Sequence, residues 1–263
     1  MISLTLDLLA RSRVALGWWV LGVLTMGAYV VIVYDSIGST EELRRLYEQY
    51  PQSVRDLIGD VDIGTINGWI HTELLSWVPL ILGMYGGIFA GGNISKEAEQ
   101  RTVDFILGLP VTRSQFMLSR LFAGLVNIAV ICLMTFGLLV VLVALVGHSP
   151  SAGKLALALF NAYLLGAALF CGYAFIASFT DEQAKLIGIA IGGTLVMYIA
   201  TAALKTAGAP DVVQWLMPFN HYHSADAMSG RHVPALPMIV LFVAALAASA
   251  GAVYWYNRRD LAV

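Results

Sequence analysis

The chain has 263 residues, of which 59% are hydrophobic and 12% charged, with a formal net charge of -2. A soluble domain carries about 25% charged residues, so this chain lacks the surface that a water-exposed fold of its size needs, and its apolar content excludes disorder. The charge balance argues against a nucleic-acid binder, Cys132 and Cys171 inside apolar runs give neither a disulfide framework nor a metal knot, and what remains is an all-α polytopic membrane protein.

A helix needs about 20 apolar residues to cross the hydrocarbon, and six stretches qualify. The first, 14–34, carries no charge. Its length, and the lack of a small-residue cleavage site after Tyr34, set it apart from a cleaved signal peptide. In the loop that follows, 35–68, Ser39 and Glu42 read as a capping box. Leu43, Leu46, Tyr47 and Tyr50 keep helical spacing. Pro51 suits the start of a second short helix, with Val54, Leu57 and Ile58 on one face and Gly59 at its end. Two amphipathic helices on the outer surface, or a lid over the neighbouring spans, both fit this loop.

The second span, 70–91, is apolar except for His71 and Glu73. Glu73 is the acid nearest a span interior, and an intramembrane ionisable group is a functional candidate, here for an outer gate or a substrate contact. It also lies a few residues from the outer boundary, where it can face water. Gly83, Gly87 and Gly91 recur every four residues on one face, and Gly188 with Gly192 repeats the spacing in the fifth span. Such faces let helices approach closely. Packing within the subunit accounts for them, and so does a dimer seam or a translocation path.

The segment 92–118 is the most polar stretch between spans on the inner side. Ser95 can cap a helix with Glu97 and Glu99 in its first turn, where acids suit the positive end of the helix dipole. Val103, Ile106 and Leu107 form an apolar stripe, Arg101, Asp104 and Gly108 lie on another face, and Pro110 ends the helix. Thr112 can cap the next helix, which runs into the third span, 121–146. The fourth span, 155–179, and the fifth, 186–204, are joined by a tight turn in which Asp181 and Glu182 mark a helix start.

Between the fifth span and the sixth, 236–256, the stretch 207–237 is rich in breakers and carries Trp215, Leu216, Met217 and Phe219. It is too apolar for a solvated loop and reads as a structure dipping into the membrane from outside, covered by protein. His221, His223, Asp226 and His232 cluster there. His221 and His223 make a possible metal pair, although a closed site needs more ligands than this spacing promises. Polar lining of a re-entrant turn, or a pH-sensitive contact, are the alternatives.

Six crossings put both termini on one side. Nine of the fifteen Lys and Arg residues then fall on the terminal side, namely Arg11, Arg13, Lys96, Arg101, Arg113, Arg120, Lys185, Arg258 and Arg259. That bias places both termini in the cytoplasm. The tryptophans sit mostly near span ends, as an interfacial belt.

Glu97, Glu99, Thr102, Leu107, Pro110 and Arg113 together resemble the pattern of ABC-2 type transport permeases. In that family a run of acids is followed by Gly-Thr, an apolar stretch and a Pro-x-Ser/Thr-Arg ending. Here the ending is Pro110-Val111-Thr112-Arg113, and Arg101 replaces the usual glycine, a departure that bears on the local backbone turn. The similarity extends along the chain: six spans, an amphipathic N-terminal stretch (Ile2, Leu6, Leu9), an acidic first outer loop, Met217-Pro218-Phe219 and the ending Arg258-Arg259-Asp260-Leu261. The resemblance implies an N-terminal interfacial helix and a coupling helix between spans two and three. It implies a second, identical permease chain and two cytoplasmic ATPase subunits, in the cell membrane of a prokaryote.

The site residues it implies for ATPase coupling are Glu97, Glu99, Arg101, Thr102, Asp104, Leu107, Pro110 and Arg113. The charged ones can pair across such an interface, while Leu107 with Ile106 or Phe105 can anchor its centre. The sequence contains no Gly-x-x-x-x-Gly-Lys-Ser/Thr phosphate loop, so ATP and Mg are expected on the partner and no cofactor on this chain. No catalytic constellation is present: there is no nucleophile elbow, no zinc-protease helix pair and no paired carboxylates within a span. The leading expectation is therefore a transport subunit of an ATP-driven exporter rather than an enzyme in itself. An ion-gradient-driven transporter would need buried acids or broken helices at the midplane, for which the chain offers Glu73 and no clear inverted repeat. A membrane-embedded metalloenzyme built on His221, His223 and Asp226 is the remaining alternative.

Overall fold

The computed structural model describes residues 2–37, 45, 49, 61–95, 112–149, 151–180 and 182–258. Among these residues, six helices are long and apolar enough to cross a membrane. They are α1 (Ile2–Ile37), α2 (Ile66–Ser95), α3 (Arg113–Leu145), α4 (Ala152–Ala177), α5 (Gln183–Thr206) and α6 (Ala235–Arg258). No strand occurs among the described residues. The architecture is that of an all-α membrane protein.

The amphipathic N-terminal stretch and the first span form one unbroken helix. No proline or glycine separates Ile2 from Val14, so nothing in the sequence ends the first helix before the apolar run begins. At its start Asp7 and Arg11 form an ion pair of 2.8 Å one turn apart. The third span also begins earlier than its apolar run. Thr112 is extended and accepts from the Gln115 amide, while the Gln115 side chain accepts from the Thr112 amide, completing a capping box.

The helices alternate in direction, which leaves a terminal face, carrying the start of α1 and the end of α6, and an opposite, distal face. Helices α2 and α4 form the inside of the bundle. In each, about seven-tenths of the apolar stretch is buried, 72% and 67%, against 11–33% in the other four. Helix α4 packs on α2, α3 and α6, α1 packs on α3, and α5 packs on α2. Small residues make this possible. A Cβ added at Gly86 would lie 2.8 Å from Phe170 Cβ, and one at Gly166 would lie 2.9 Å from Leu82 Cβ. Both glycines mark the crossing of α2 and α4, where the backbones approach too closely for side chains on both helices.

Helix α2 is not uniform. It opens as an α-helix at Ile66–Ile70, widens to a π-turn at His71–Leu75, resumes as α over Val78–Ala90, and ends in a second π-turn at Gly91–Ser95. Such wide turns are rare and concentrate at functional sites. Periodicity gives no signal for either one, and the sequence reading had the span begin at 70 and end at 91.

The stretch between α5 and α6 folds as three short turns: Asp211–Trp215, a 3₁₀ turn Pro218–His221, and Ser224–Ser229. Gly230, at φ 76°, takes the left-handed conformation that ends the last of these. Phe219, His221, Ser224, Ala227 and Met228 are buried, while Leu216 is exposed. The stretch thus packs onto the distal ends of α2 and α4. Apart from Arg45 and Gln49, the expected surface helices at 39–59 lie outside the described residues, as does the chain ending from Arg259 on.

Candidate functional site

Three groups of residues stand out: a polar joint at the terminal face, a glycine seam between α2 and α5, and a polar latch at the distal face, with Glu73 beside it.

The joint sits at both edges of the expected coupling segment. Glu97, Glu99, Arg101, Thr102, Asp104, Leu107 and Pro110 lie outside the described residues. Arg113 is the first residue of α3, half-buried, directly after the Thr112 cap. Two turns further in, Arg120 is 2% exposed. Its Nε donates to the Asn93 carbonyl in the second π-turn of α2, at 3.2 Å. Its Nη1 donates to Ser119 Oγ at 3.0 Å and to the Phe116 carbonyl at 3.4 Å. The guanidinium also stands 3.3 Å over the Phe116 ring. Phe116 in turn stacks on Tyr256 of α6 at 5.3 Å, and Asn257 donates to Ser114 Oγ at 2.7 Å.

A π-turn interrupts the regular carbonyl pairing of a helix, and a planar guanidinium with several fixed donors can serve the displaced carbonyl. Arg120 therefore ties together the end of α2, the start of α3 and the end of α6. The sequence reading counted it only as a cation near a span end. The signal for a structural role was its place two turns past the Thr112 cap, inside the apolar run that follows.

The glycine seam is packed within the chain. A Cβ at Gly83 would lie 2.8 Å from Thr194 Cγ2, and one at Gly91 would lie 2.8 Å from Ile187 Cγ1. At Gly87 an added Cβ would collide with the Ala190 methyl group. All three face α5, whose Thr194 is held by a 2.6 Å hydrogen bond to Tyr173 of α4. Gly188 and Gly192 point elsewhere, with no atom within 4 Å of an added Cβ and no neighbour covering them.

At the distal face, Asn161 of α4 is 1% exposed and reads the backbone of the 218–229 stretch. Its carbonyl oxygen accepts from the His223 amide at 2.6 Å, and its amide donates to the His221 carbonyl at 3.4 Å. Tyr222 donates to the Leu75 carbonyl at 2.8 Å, which belongs to the first π-turn of α2. Ser224 Oγ lies 3.2 Å from His71 Nδ1 in the same turn. Both π-turns of α2 are thus met by polar groups from another element.

Burial lowers the His221 pKa, its Trp215 hydrogen bond opposes the shift, and the neighbouring His223 adds to it. Burial raises the Tyr222 hydroxyl well above the ordinary tyrosine value. His221 Nε2 lies 2.8 Å from the Trp215 carbonyl, whereas His223 Nδ1 faces Asp226 at 3.1 Å and Asp226 also accepts from Arg231 at 2.9 Å. The two imidazoles serve separate partners. Among the described residues no three His, Cys, Asp or Glu side chains come together as a metal site.

Glu73 occupies the middle of the first π-turn. His71, Thr72, Leu74, Leu75 and Ser76 around it are buried, while Glu73 and Trp77 are exposed on the same side. Glu73 lies seven residues past the start of α2 at Ile66. Leu74, beside it, packs toward Gly27 of α1, which Leu139 of α3 also meets. Glu73 has no hydrogen-bond or ion-pair partner among the described residues.

Six apolar helices, each long enough to cross the bilayer, define a polytopic all-α membrane protein. A family model described as "ABC-2 family transporter protein" matches residues 8–261. The chain belongs to that family. It is a membrane-spanning permease subunit, and the family implies a membrane subunit that works with an ATPase partner. Comparison with curated protein sequences gives no match.

Proposed function

We propose that this chain is the membrane half of an ATP-driven exporter. Two identical copies form the permease, two ATPase subunits dock on the terminal face, and that face is cytoplasmic. The chain itself is not an enzyme. ATP and Mg bind the partner, whose closure moves the segment 92–118.

The observation that carries this reading is the Arg120 joint. An element that transmits force must be fixed where it leaves the membrane. The segment 96–111 leaves α2 at the π-turn held by Arg120 and enters α3 at the Thr112 capping box. A displacement of the segment then reaches α2, α3 and α6 together. The cations Arg11, Arg13, Arg113, Lys185 and Arg258 on the same face support the cytoplasmic assignment.

In the dimer, the uncovered stripe of α5 with Gly188 and Gly192 supplies a close-packing face for the second copy. The filled seam of Gly83, Gly87 and Gly91 holds α2 to α5, so that the two helices lining that contact move as one. In the segment itself, Glu97, Glu99, Arg101 and Asp104 set register on the ATPase, Leu107 is the apolar anchor, Thr102 and Pro110 shape the turns, and Arg113 secures the exit.

The test is a triple variant, Glu97→Ala/Leu107→Ala/Arg113→Ala, compared with wild type for retention of the ATPase and for ATP-dependent transport. Loss of either supports the coupling role. Retention of both removes it.

A further inference from the structure

We propose that Glu73, Trp77 and Tyr198 form a binding site for an amphipathic organic cation, with the positive centre held between the carboxylate and the two aromatic rings. This deepens the transport reading above and rests on it in one respect: the site is taken as a substrate contact.

The argument starts from the carboxylate. Glu73 is exposed, lies seven residues past the start of the membrane-spanning helix α2, and has no hydrogen-bond or ion-pair partner among the described residues. A charge so placed needs either a proton or a positive partner. Among the described residues none offers the partner. The described cations of the spans lie near helix ends: Arg11, Arg13, Arg113, Arg120, Lys185 and Arg258 toward the terminal face, Lys154 and Lys205 toward the distal one.

The surroundings select the kind of cation. Trp77 follows Glu73 by four residues across a widened turn, so both project to the same exposed side, and Trp77 is 43% exposed. The Tyr198 ring of α5 stands 6.1 Å from the Trp77 ring, and Phe219 holds Tyr198 from behind at 5.4 Å. A hard metal ion would need several oxygen ligands, and one carboxylate beside aromatic carbon does not supply them. Aromatic faces attract weakly hydrated organic cations. An acid beside one exposed ring and one half-buried ring, in an otherwise apolar face, is complementary to a bulky, lipophilic, singly charged ligand.

The experiment uses the full chain in zwitterionic lipid nanodiscs and radiolabelled tetraphenylphosphonium, with empty nanodiscs as the blank. Wild type should bind the cation above the blank. Tetraphenylborate, of the same shape and opposite charge, should not compete. Glu73→Gln should weaken binding by about tenfold or more, while Glu73→Asp retains most of it. Trp77→Leu should weaken it several-fold.

No binding above the blank, equal affinity in Glu73→Gln, or equal competition by tetraphenylborate would each overturn the proposal. Should Glu73→Gln not purify as a folded protein, wild type decides the matter through dicyclohexylcarbodiimide. Modification of Glu73, located by peptide mass, should be slowed by tetraphenylphosphonium, and unprotected labelling overturns the assignment. No ATPase is needed at any step. A failure here leaves ATP coupling untouched, and a failure of ATP coupling leaves cation binding to be read on its own.

Discussion

Arg120 reaches from the third span to the Asn93 carbonyl at 3.2 Å, and so joins the two helices that flank the segment 96–111. A buried guanidinium in such a place fixes the spacing between the helices, because its donors are planar and its length is set. The pair also explains why an arginine survives in an apolar run: it serves a carbonyl that the π-turn leaves outside the regular helical pattern.

Substitution of Arg120 should therefore be costly. Arg120→Ala removes charge-assisted hydrogen bonds worth about 1.5–3 kcal/mol each. Thermal unfolding in detergent should show a lowered midpoint. Arg120→Lys keeps the charge but loses the fork, and should recover only part of the loss. An unchanged midpoint in Arg120→Ala would mean that the joint does not hold the helices.

The two sets of glycines should behave differently. Gly87→Val places atoms where Ala190 already sits, and overpacking of this kind costs about 1–3 kcal/mol. Gly188→Ala and Gly192→Ala meet no atom within 4 Å, so the fold of the single chain should tolerate them within about 0.5 kcal/mol. Differential scanning of all three variants separates the cases, and a stable Gly87→Val would contradict the packing described for α2 and α5.

The latch at the distal face should open first in Asn161→Ala. That side chain is buried and makes two bonds to the 218–229 backbone. Its loss leaves buried polar groups without a partner, at about 1–3 kcal/mol. Hydrogen exchange of residues 218–229 should speed up while that of α3 does not. Tyr222→Phe should give the same pattern more weakly. Exchange unchanged in both variants would show that the latch adds nothing to local stability.

The same latch carries a pH dependence. The His221 pKa is lowered from the ordinary histidine value of 6.5, chiefly by burial. The folded state therefore takes up its proton at lower pH than the unfolded state does. As pH falls below about 6.5 the unfolded chain is protonated first, and the stability contributed by neutral His221 is lost progressively toward the lowered folded value. The unfolding midpoint of wild type should drop over that window, and His221→Gln should flatten the change. A variant that follows the wild-type profile would assign the pH response to another group.

What could be read without coordinates was what depends on neighbours along the chain. Six apolar runs of sufficient length give six spans, because hydrocarbon thickness acts on each segment alone. The Thr112 cap was legible for the same reason, since Thr112 and Gln115 are three residues apart. Glu73 was legible as an oddity, but its place in a π-turn with Trp77 and Tyr198 nearby was not, because such a turn leaves no periodic signal. The pairing of Ser224 with His71 spans 153 residues and has no local signature. The glycine spacing pointed to close packing, yet only the positions of Ala190 and Thr194 show which helix fills the seam. The coupling segment stands on its residue pattern alone, with both of its edges defined by Asn93, Arg120 and Thr112.

The central claim is that a separate ATPase drives this permease. The most direct measurement is affinity purification of the tagged chain from native membranes in mild detergent, with mass spectrometry of what accompanies it. The account predicts a soluble subunit bearing a phosphate-loop motif, in one-to-one ratio with the permease. A permease that emerges alone, and stays alone after crosslinking in the membrane, would contradict it.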